Sequence, residues 1–481
     1  SYPPQNLHIS IVSRKDPPLN LNNLLVNGRM IELRMQDLAF SDDEIRLLFK
    51  KTINVDLDQS SIATLQAKTE GWIVALRMAT LLSEDNGNME QLLVDFQGGS
   101  HSLSMYLLDE IIEKQSDQVQ RTMLIASLLN RFNIELIDRM IVLNKDEGKI
   151  DGEYFIQQLL QSNLFLIPLD KSGTWYRFHH LIQEFLFSLF KDKFGLEKVN
   201  AFNEAASDWF ENKGFIEESL DYMLAAQNTT KVFGIIQRHR LNVLNKDLWY
   251  VVANWAAKLP PENNTDPDLV LAKIWGAYEN FRFDQLLALL EELPTILNDT
   301  KKHQSYWGEW HLMQGLLEFW SGNPSGGIQQ LRKAKELLPE GENLCNGMVI
   351  LHHGMATTLN GEYELSSKEL TAHLQKSTSD PVYITRLMAG LFYINQFDGN
   401  LKISIQAAQD IQELASSKKI IYTEAMAACM EITARFCMYN FDQSKDLFNK
   451  AIKYRYILHT RTALDAMAAV VIANELQAKT D

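Results

Sequence analysis

Apolar residues recur at helical spacing along most of the chain. The first well-defined start is Phe40-Ser41-Asp42-Asp43-Glu44, where Ser41 is placed as the N-cap and Glu44, three residues on, as its capping-box partner. Ile45, Leu47, Leu48 and Phe49 then supply an apolar face. A further helical pattern runs over about 60–82, with Ile73, Leu76, Met78 and Ala79 spaced for burial. Gly71 interrupts it; a helix-interior glycine costs on the order of 1 kcal/mol relative to alanine, so a break or a close backbone approach is expected there. Loop signals at 84–88 and 97–100 separate more helices near 104–113 and 118–129.

Alternation with a period of two is scarce. Residues 7–12 read as a short strand closed by Pro17-Pro18, and 30–33 as a second extended piece. Too few strands follow to make a sheet for them, and a lone strand leaves its backbone donors and acceptors unmatched, so the chain is expected to begin inside a domain. Two β-like runs, 164–169 and 174–178, flank Asp170-Lys171-Ser172-Gly173, which has the composition of a hairpin turn, and a helix follows from His179. Helices, a hairpin and another helix describe a winged helix. His179 and His180 then read as helix-start residues, one buried and one wet.

Beyond about residue 195 the pattern is helical and repeats. Gly315, Gly322, Gly327, Leu331, Ala334 and Pro339 fall at the small, apolar and terminating positions of a tetratricopeptide unit, and Gly354, Gly361, Tyr363 and Leu370 make a second. Weaker copies surround Phe215, Phe283 and Phe441, with a spacing near forty residues. Small residues at these positions let paired helices approach, and the exposed wall of an array carries its function. Trp307, Trp310, His311 and Trp320, with Phe319 nearby, form an aromatic-rich stretch that reads either as packing between repeats or as a sugar or peptide groove. His352-His353 is a weak metal signal, since adjacent helix positions point about 100° apart.

Charge narrows the function. Lys and Arg number 46 against 61 Asp and Glu, a net charge of −15, with 46% hydrophobic residues. Such a chain is globular, and its acidity argues against phosphate-backbone binding by this chain itself. Cys345, Cys429 and Cys437 form no CxxC pair, which suits a reducing, cytoplasmic setting. No apolar run is long enough for a spanning helix, and Ser1-Tyr2-Pro3-Pro4 is not a secretory signal. Zincin, nucleophile-elbow, EF-hand and dinucleotide motifs are absent, and the many carboxylates follow helical faces and read as solvated surface. A Walker A loop is also absent; Gly148-Lys149-Ile150 lacks the earlier glycine and the hydroxyl.

Several of these segments together carry a family resemblance. Ile9–Leu19, Glu32-Leu33-Arg34 through Asp37-Leu38-Ala39-Phe40-Ser41, Thr69-Glu70-Gly71-Trp72, and Asn163-Leu164-Phe165 through Trp175-Tyr176-Arg177-Phe178-His179-His180-Leu181 resemble, in order, the large ATP-binding LuxR-type transcriptional regulators, signal-transduction ATPases with numerous domains. The resemblance covers roughly residues 5–190. It implies a P-loop domain, a helical subdomain, a winged helix, a tetratricopeptide-like sensor and a C-terminal helix-turn-helix. It further implies an inducer-released, ADP-locked resting state and an ATP-bound, self-associating active state.

Carried onto this sequence, Arg14 matches the family's sensor arginine facing the nucleotide phosphates, and His179 the winged-helix histidine that approaches the ADP β-phosphate. In the related plant-resistance and apoptotic ATPases, where that histidine approaches ADP, the next residue is commonly Asp, and here it is His180. Gly71-Trp72-Ile73 lacks the proline of the adenine-packing motif and is assigned no nucleotide contact. The chemistry is sound: arginine is permanently charged and forks onto phosphate oxygens, and an imidazole donates one hydrogen bond that reports a phosphate. Without the resemblance, Arg14 is a solvated turn residue.

The expected architecture is mainly α: a nucleotide-domain remnant at 1–39, a helical subdomain at 40–130, a winged helix at 131–195 and a tetratricopeptide-like α-solenoid at 196–481. The chain is expected to be cut from a larger one within its ATPase domain and again mid-array. No catalytic residue, metal or bound ATP/ADP is expected for it alone. The partners implied are a small-molecule inducer or regulatory protein on the repeats, other copies in the active state, and DNA only through a further C-terminal domain, with no membrane. The alternative is a tetratricopeptide scaffold that binds proteins and uses no nucleotide.

Overall fold

A computed structural model describes residues 9–10, 30–33, 35–86, 112–144, 150–161, 166–259, 266–297, 304–376, 380–440, 444–454, 457–458 and 460–478. Helix α1 (Asp42–Ile53) starts at Ser41, whose backbone N–H and hydroxyl donate to the Glu44 carboxylate at 2.9 and 3.0 Å. Ile45 and Phe49 turn inward. The pattern over 60–82 is two helices, α2 (Gln59–Thr69) and α3 (Ile73–Asn86), separated by Glu70 and Gly71 in left-handed conformations, φ 48° and 72°. The Phe40 N–H donates to the Gly71 carbonyl at 2.9 Å, and a Cβ on Gly71 would stand 2.6 Å from the Phe40 backbone N and O. The helix break and the close approach expected from this glycine are one feature.

The strand expected at 7–12 falls, apart from residues 9 and 10, outside the described residues, as does Arg14. The extended piece expected at 30–33 joins no sheet: Ile31 and Leu33 are exposed, and no described strand lies alongside to satisfy their backbone.

Helices α4 (Asp117–Ala126), α5 (Ile134–Asn144) and α6 (Gly152–Gln161) precede an antiparallel pair, β1 (Leu166–Pro168) and β2 (Tyr176–Phe178), with Leu166 opposite Phe178. The Asp170 carboxylate closes the hairpin by accepting the backbone N–H groups of Thr174 and Trp175 at 2.8 and 3.2 Å. Tyr176 exchanges two 2.8 Å backbone bonds with Phe132, which adds a third short extended segment to the wing. Helix α7 (His180–Asn212), kinked at Gly195, and α8 (Ile216–Ala225) follow.

Phe49, Phe132, Phe155, Phe178, Phe190, Phe202 and Phe210 belong to one buried core that runs from α1 to α8. The Trp175 ring stacks on Phe210 at 6.3 Å and meets Trp209 and Phe215 edge-on. The helices over 196–225 are therefore packed with the winged helix, and the chain divides into two compact units between Asn228 and Thr229.

The second unit opens with α9 (Thr229–Leu244) and α10 (Trp249–Ala257). Helix pairs follow: α11 (Pro267–Glu279) with α12 (Phe283–Ile296), α13 (Gln304–Trp320) with α14 (Pro324–Leu337), α15 (Asn343–Leu359) with α16 (Tyr363–Lys376), α17 (Pro381–Phe397) with α18 (Leu401–Lys418), and α19 (Ile421–Cys437) with α20 (Ser444–Lys453), then α21 (Thr460–Ala478). First helices begin at 267, 304, 343, 381, 421 and 460, steps of 37, 39, 38, 40 and 39 residues. Asp266 and Asp380 cap α11 and α17 ahead of a proline at the first helical position, where its missing N–H costs nothing. Gly315 and Gly354 sit where a Cβ would come within 2.8 Å of Leu331 and 2.9 Å of Leu370, both fully buried, so the glycines set the closeness of each pair. The architecture is mainly α, a winged helix and then a tetratricopeptide-like array.

Candidate functional site

In the first unit the break between α2 and α3 meets the end of β2. Arg177 grips Glu70 with both ends of its guanidinium, Nη1 to Oε1 at 2.9 Å and Nη2 to Oε2 at 2.8 Å. Glu70 Oε1 also accepts the backbone N–H of His180 at 3.1 Å, at the start of α7. One residue earlier, His179 is only 1% exposed, and its Nε2 lies 3.0 Å from the Thr69 carbonyl. A carbonyl can only accept, so this nitrogen carries the proton. The Trp72 ring meets His179 edge-on at 5.9 Å. His180 turns to the surface and pairs with Glu184 at 3.2 Å, so one histidine is buried and the other wet.

The electrostatics follow from this arrangement. Burial pushes the His179 pKa below its ordinary value, against the pull of Glu70 and the Thr69 bond. Burial alone would raise Glu70, but the Arg177 hydrogen bonds, the His179 charge and the His180 N–H together hold its carboxyl down to about 2. The result is a positioned imidazole donor beside a fixed ion pair. A phosphate contact through Nε2 requires the Thr69 bond to be exchanged.

In the second unit the aromatic stretch is engaged with neighbouring helices. The Trp310 indole N–H donates to the Leu290 carbonyl at 2.8 Å and its ring meets those of Trp307 and His311. His311 Nδ1 is 2.7 Å from Gln330 Oε1. Trp320 packs edge-on against Phe281 and Phe319. All four residues, Trp307, Trp310, His311 and Trp320, are half-buried. His352 and His353 point into different surroundings: His352 is buried against Tyr278 and Phe319, while His353 faces Glu369.

The reading of the carboxylates as solvated surface is corrected here, because several lie in the interior, where only paired charges persist. Arg240, wholly buried, donates through Nε to Asp268 at 2.8 Å and through Nη1 and Nη2 to both oxygens of Glu309 at 2.8 Å. Trp275 Nε1 also donates to Glu309, at 3.1 Å, and the Tyr306 hydroxyl to Asp268 at 2.7 Å. A second buried cluster joins Arg386 and Thr423 to Asp247, and the Tyr422 hydroxyl to Glu279 at 3.0 Å. Burial raises the Glu279 carboxyl to about 8, with nearby Asp247 adding to the shift and Arg386 and Tyr422 opposing it. One signal was legible: Glu309 lies at helical spacing from Leu312, Met313 and Leu316, on the apolar face of α13.

The family model described as the MalT winged helix domain matches residues 108–197, a span that contains Phe132, the hairpin, Arg177 and His179. The HTH-type transcriptional regulator MalT of Yersinia enterocolitica is 28% identical over 303 residues, 62% of this chain and 33% of that protein. MalT of a Yersinia pestis strain is 27% identical over the same length. Over these spans the chain is similar to MalT. It spans about a third of the length of these curated MalT relatives. A crystal structure of a signal transduction ATPase with numerous domains, a protein with a tetratricopeptide repeat sensor from Pyrococcus horikoshii, superposes with a TM-score of 0.48 at 13% identity, covering 91% of this chain and 63% of that one. Among the described residues no helix is long and apolar enough to cross a membrane.

Proposed function

We propose that this chain is the switch and sensor portion of an ATP-dependent, LuxR-type transcriptional regulator of the MalT kind, acting in the cytoplasm. The observation that carries the reading is the bond from His179 Nε2 to the Thr69 carbonyl, flanked by the Arg177–Glu70 pair, which ties the winged helix to a backbone break in the preceding helices. The match to the MalT winged helix domain over 108–197 supports it.

In this reading the intact protein holds ADP or ATP between an upstream P-loop and this junction. Arg14 approaches the phosphates, and the His179 N–H exchanges the Thr69 carbonyl for a phosphate oxygen. The repeat unit takes a small-molecule inducer or a regulatory protein, with Trp307, Trp310, His311 and Trp320 on one wall. The active form self-associates and binds DNA through a C-terminal helix-turn-helix. This portion alone is not an enzyme and holds no nucleotide.

The test compares ADP and ATP binding by this chain and by a version extended to the length of its relatives. Retention of nucleotide by the extended protein alone is expected. Absence of binding by both would favour the second reading, a protein-binding scaffold, for which the regular 37–40 residue step between helix pairs argues.

A further inference from the structure

The second helices of two successive pairs, α14 and α16, part over the first helix between them, α15, and leave a cavity of about 170 Å³. Its floor is apolar, from Leu331, Ile350 and Leu370 around Gly354. Its rim is not. Arg332 and Lys335 reach it from α14, His353 from α15, and Glu369 and His373 from α16. Lys335 Nζ is 3.4 Å from His373 Nε2, and the Tyr383 hydroxyl, from α17, is 3.3 Å from His373 Nδ1. An ammonium can only donate, so His373 is neutral with its proton on Nδ1, directed at Tyr383. Glu369 is the single acidic lining residue and lies 3.6 Å from His353 Nδ1.

Two basic side chains, Arg332 and Lys335, and two imidazoles thus converge on one small cavity, in a chain whose net charge is −15. We infer that this cleft is a binding site for a tetrahedral dianion, the phosphate group of a small phosphomonoester whose organic part rests on the apolar floor. Arg332 and Lys335 supply the charge and the donors, and the imidazoles of His353 and His373 adapt by taking up protons. Burial first, and then nearby basic groups, hold both histidines below their ordinary pKa: Arg332, Lys335 and, once protonated, His373 act on His353, Lys335 and Lys376 act on His373, and Glu369 opposes in each case. An anion in the cleft reverses that balance, so binding draws in protons and tightens as pH falls toward the ordinary histidine range near 6.5. The site is distinct from the aromatic stretch on α13 and does not depend on the nucleotide reading.

Calorimetric titration of the full chain with phenyl phosphate, inorganic sulfate and uncharged benzyl alcohol tests it. One equivalent of phenyl phosphate is expected to bind, weakened about tenfold or more by Lys335→Met or Arg332→Gln, since each removes a charge-assisted donor. Glu369→Gln should strengthen binding, an outcome that a misfolded variant cannot imitate. Sulfate, a dianion throughout, should bind more tightly at pH 6 than at pH 8. Binding of benzyl alcohol as tight as that of phenyl phosphate, affinities unchanged in both cation variants, or no binding of either anion would overturn the assignment.

Discussion

His179 Nε2 and the Thr69 carbonyl, 110 residues apart in sequence, lie 3.0 Å apart in the interior of the first unit. The pair latches the start of α7 to the end of α2, so the winged helix and the helix break at Glu70-Gly71 cannot separate without losing a buried hydrogen bond. Leaving a buried acceptor unmatched costs about 1–3 kcal/mol. His179→Ala is therefore expected to destabilise the first unit by about that amount, with His179→Gln recovering part of it by offering a replacement donor. Urea unfolding of both variants checks this; equal stability of His179→Ala and the parent would show the latch to be idle.

The neighbouring ion pair gives the junction an acid limit. Glu70 is held at about 2, below its ordinary 4.5, so its contribution is fully present above 4.5 and fades as pH falls from 4.5 toward 2. Melting temperatures of the parent should drop more steeply through that window than those of Glu70→Gln. Parallel curves would contradict the assignment of this acid sensitivity to Glu70.

Arg240 is the single guanidinium between two buried carboxylates. Removing one partner of such a cluster strands the rest, at a cost of about 3–5 kcal/mol. Arg240→Ala should lose about that much in chemical denaturation, whereas replacing Arg240, Asp268 and Glu309 together by Met, Leu and Leu should restore most of it. A fold that tolerates Arg240→Ala would mean that Asp268 and Glu309 find another counter-charge.

Glu279 acts in the opposite direction to Glu70. Its folded pKa is raised to about 8 from an ordinary 4.5, so the folded state binds a proton that the unfolded chain has released. The associated stability is fully present below 4.5 and is lost as pH rises through 8. Glu279→Gln, which keeps a polar partner for Tyr422, should lessen the fall in urea midpoint between pH 5.5 and pH 8.5. An identical fall in parent and variant would place that titration elsewhere.

What could be read from the sequence was local. The Ser41–Glu44 box, the break at Gly71, the turn closed by Asp170 and the approach of Gly315 to Leu331 each depend on residues within about one element of each other. The unit boundary after Asn228 was not legible: Phe202, Trp209 and Phe210 have the spacing of any amphipathic helix, and only their contact with Trp175 ties them to the wing. The pairing of the buried charges was hidden for the same reason. Arg240 finds Glu309 across 69 residues, and Tyr422 finds Glu279 across 143, distances at which a sequence shows charge but not pairing. At His179 the motif singled out the residue, while its partner, a main-chain carbonyl, has no side-chain signature at all.

In the proposed function, His179 passes nucleotide state to the winged helix. This role is tested most directly by the rate of ADP release from the protein extended to the length of its relatives, with His179 intact and with His179→Ala. Loss of one hydrogen bond to a charged phosphate predicts release faster by about tenfold or more in the variant. Equal release rates from two folded proteins would contradict the account.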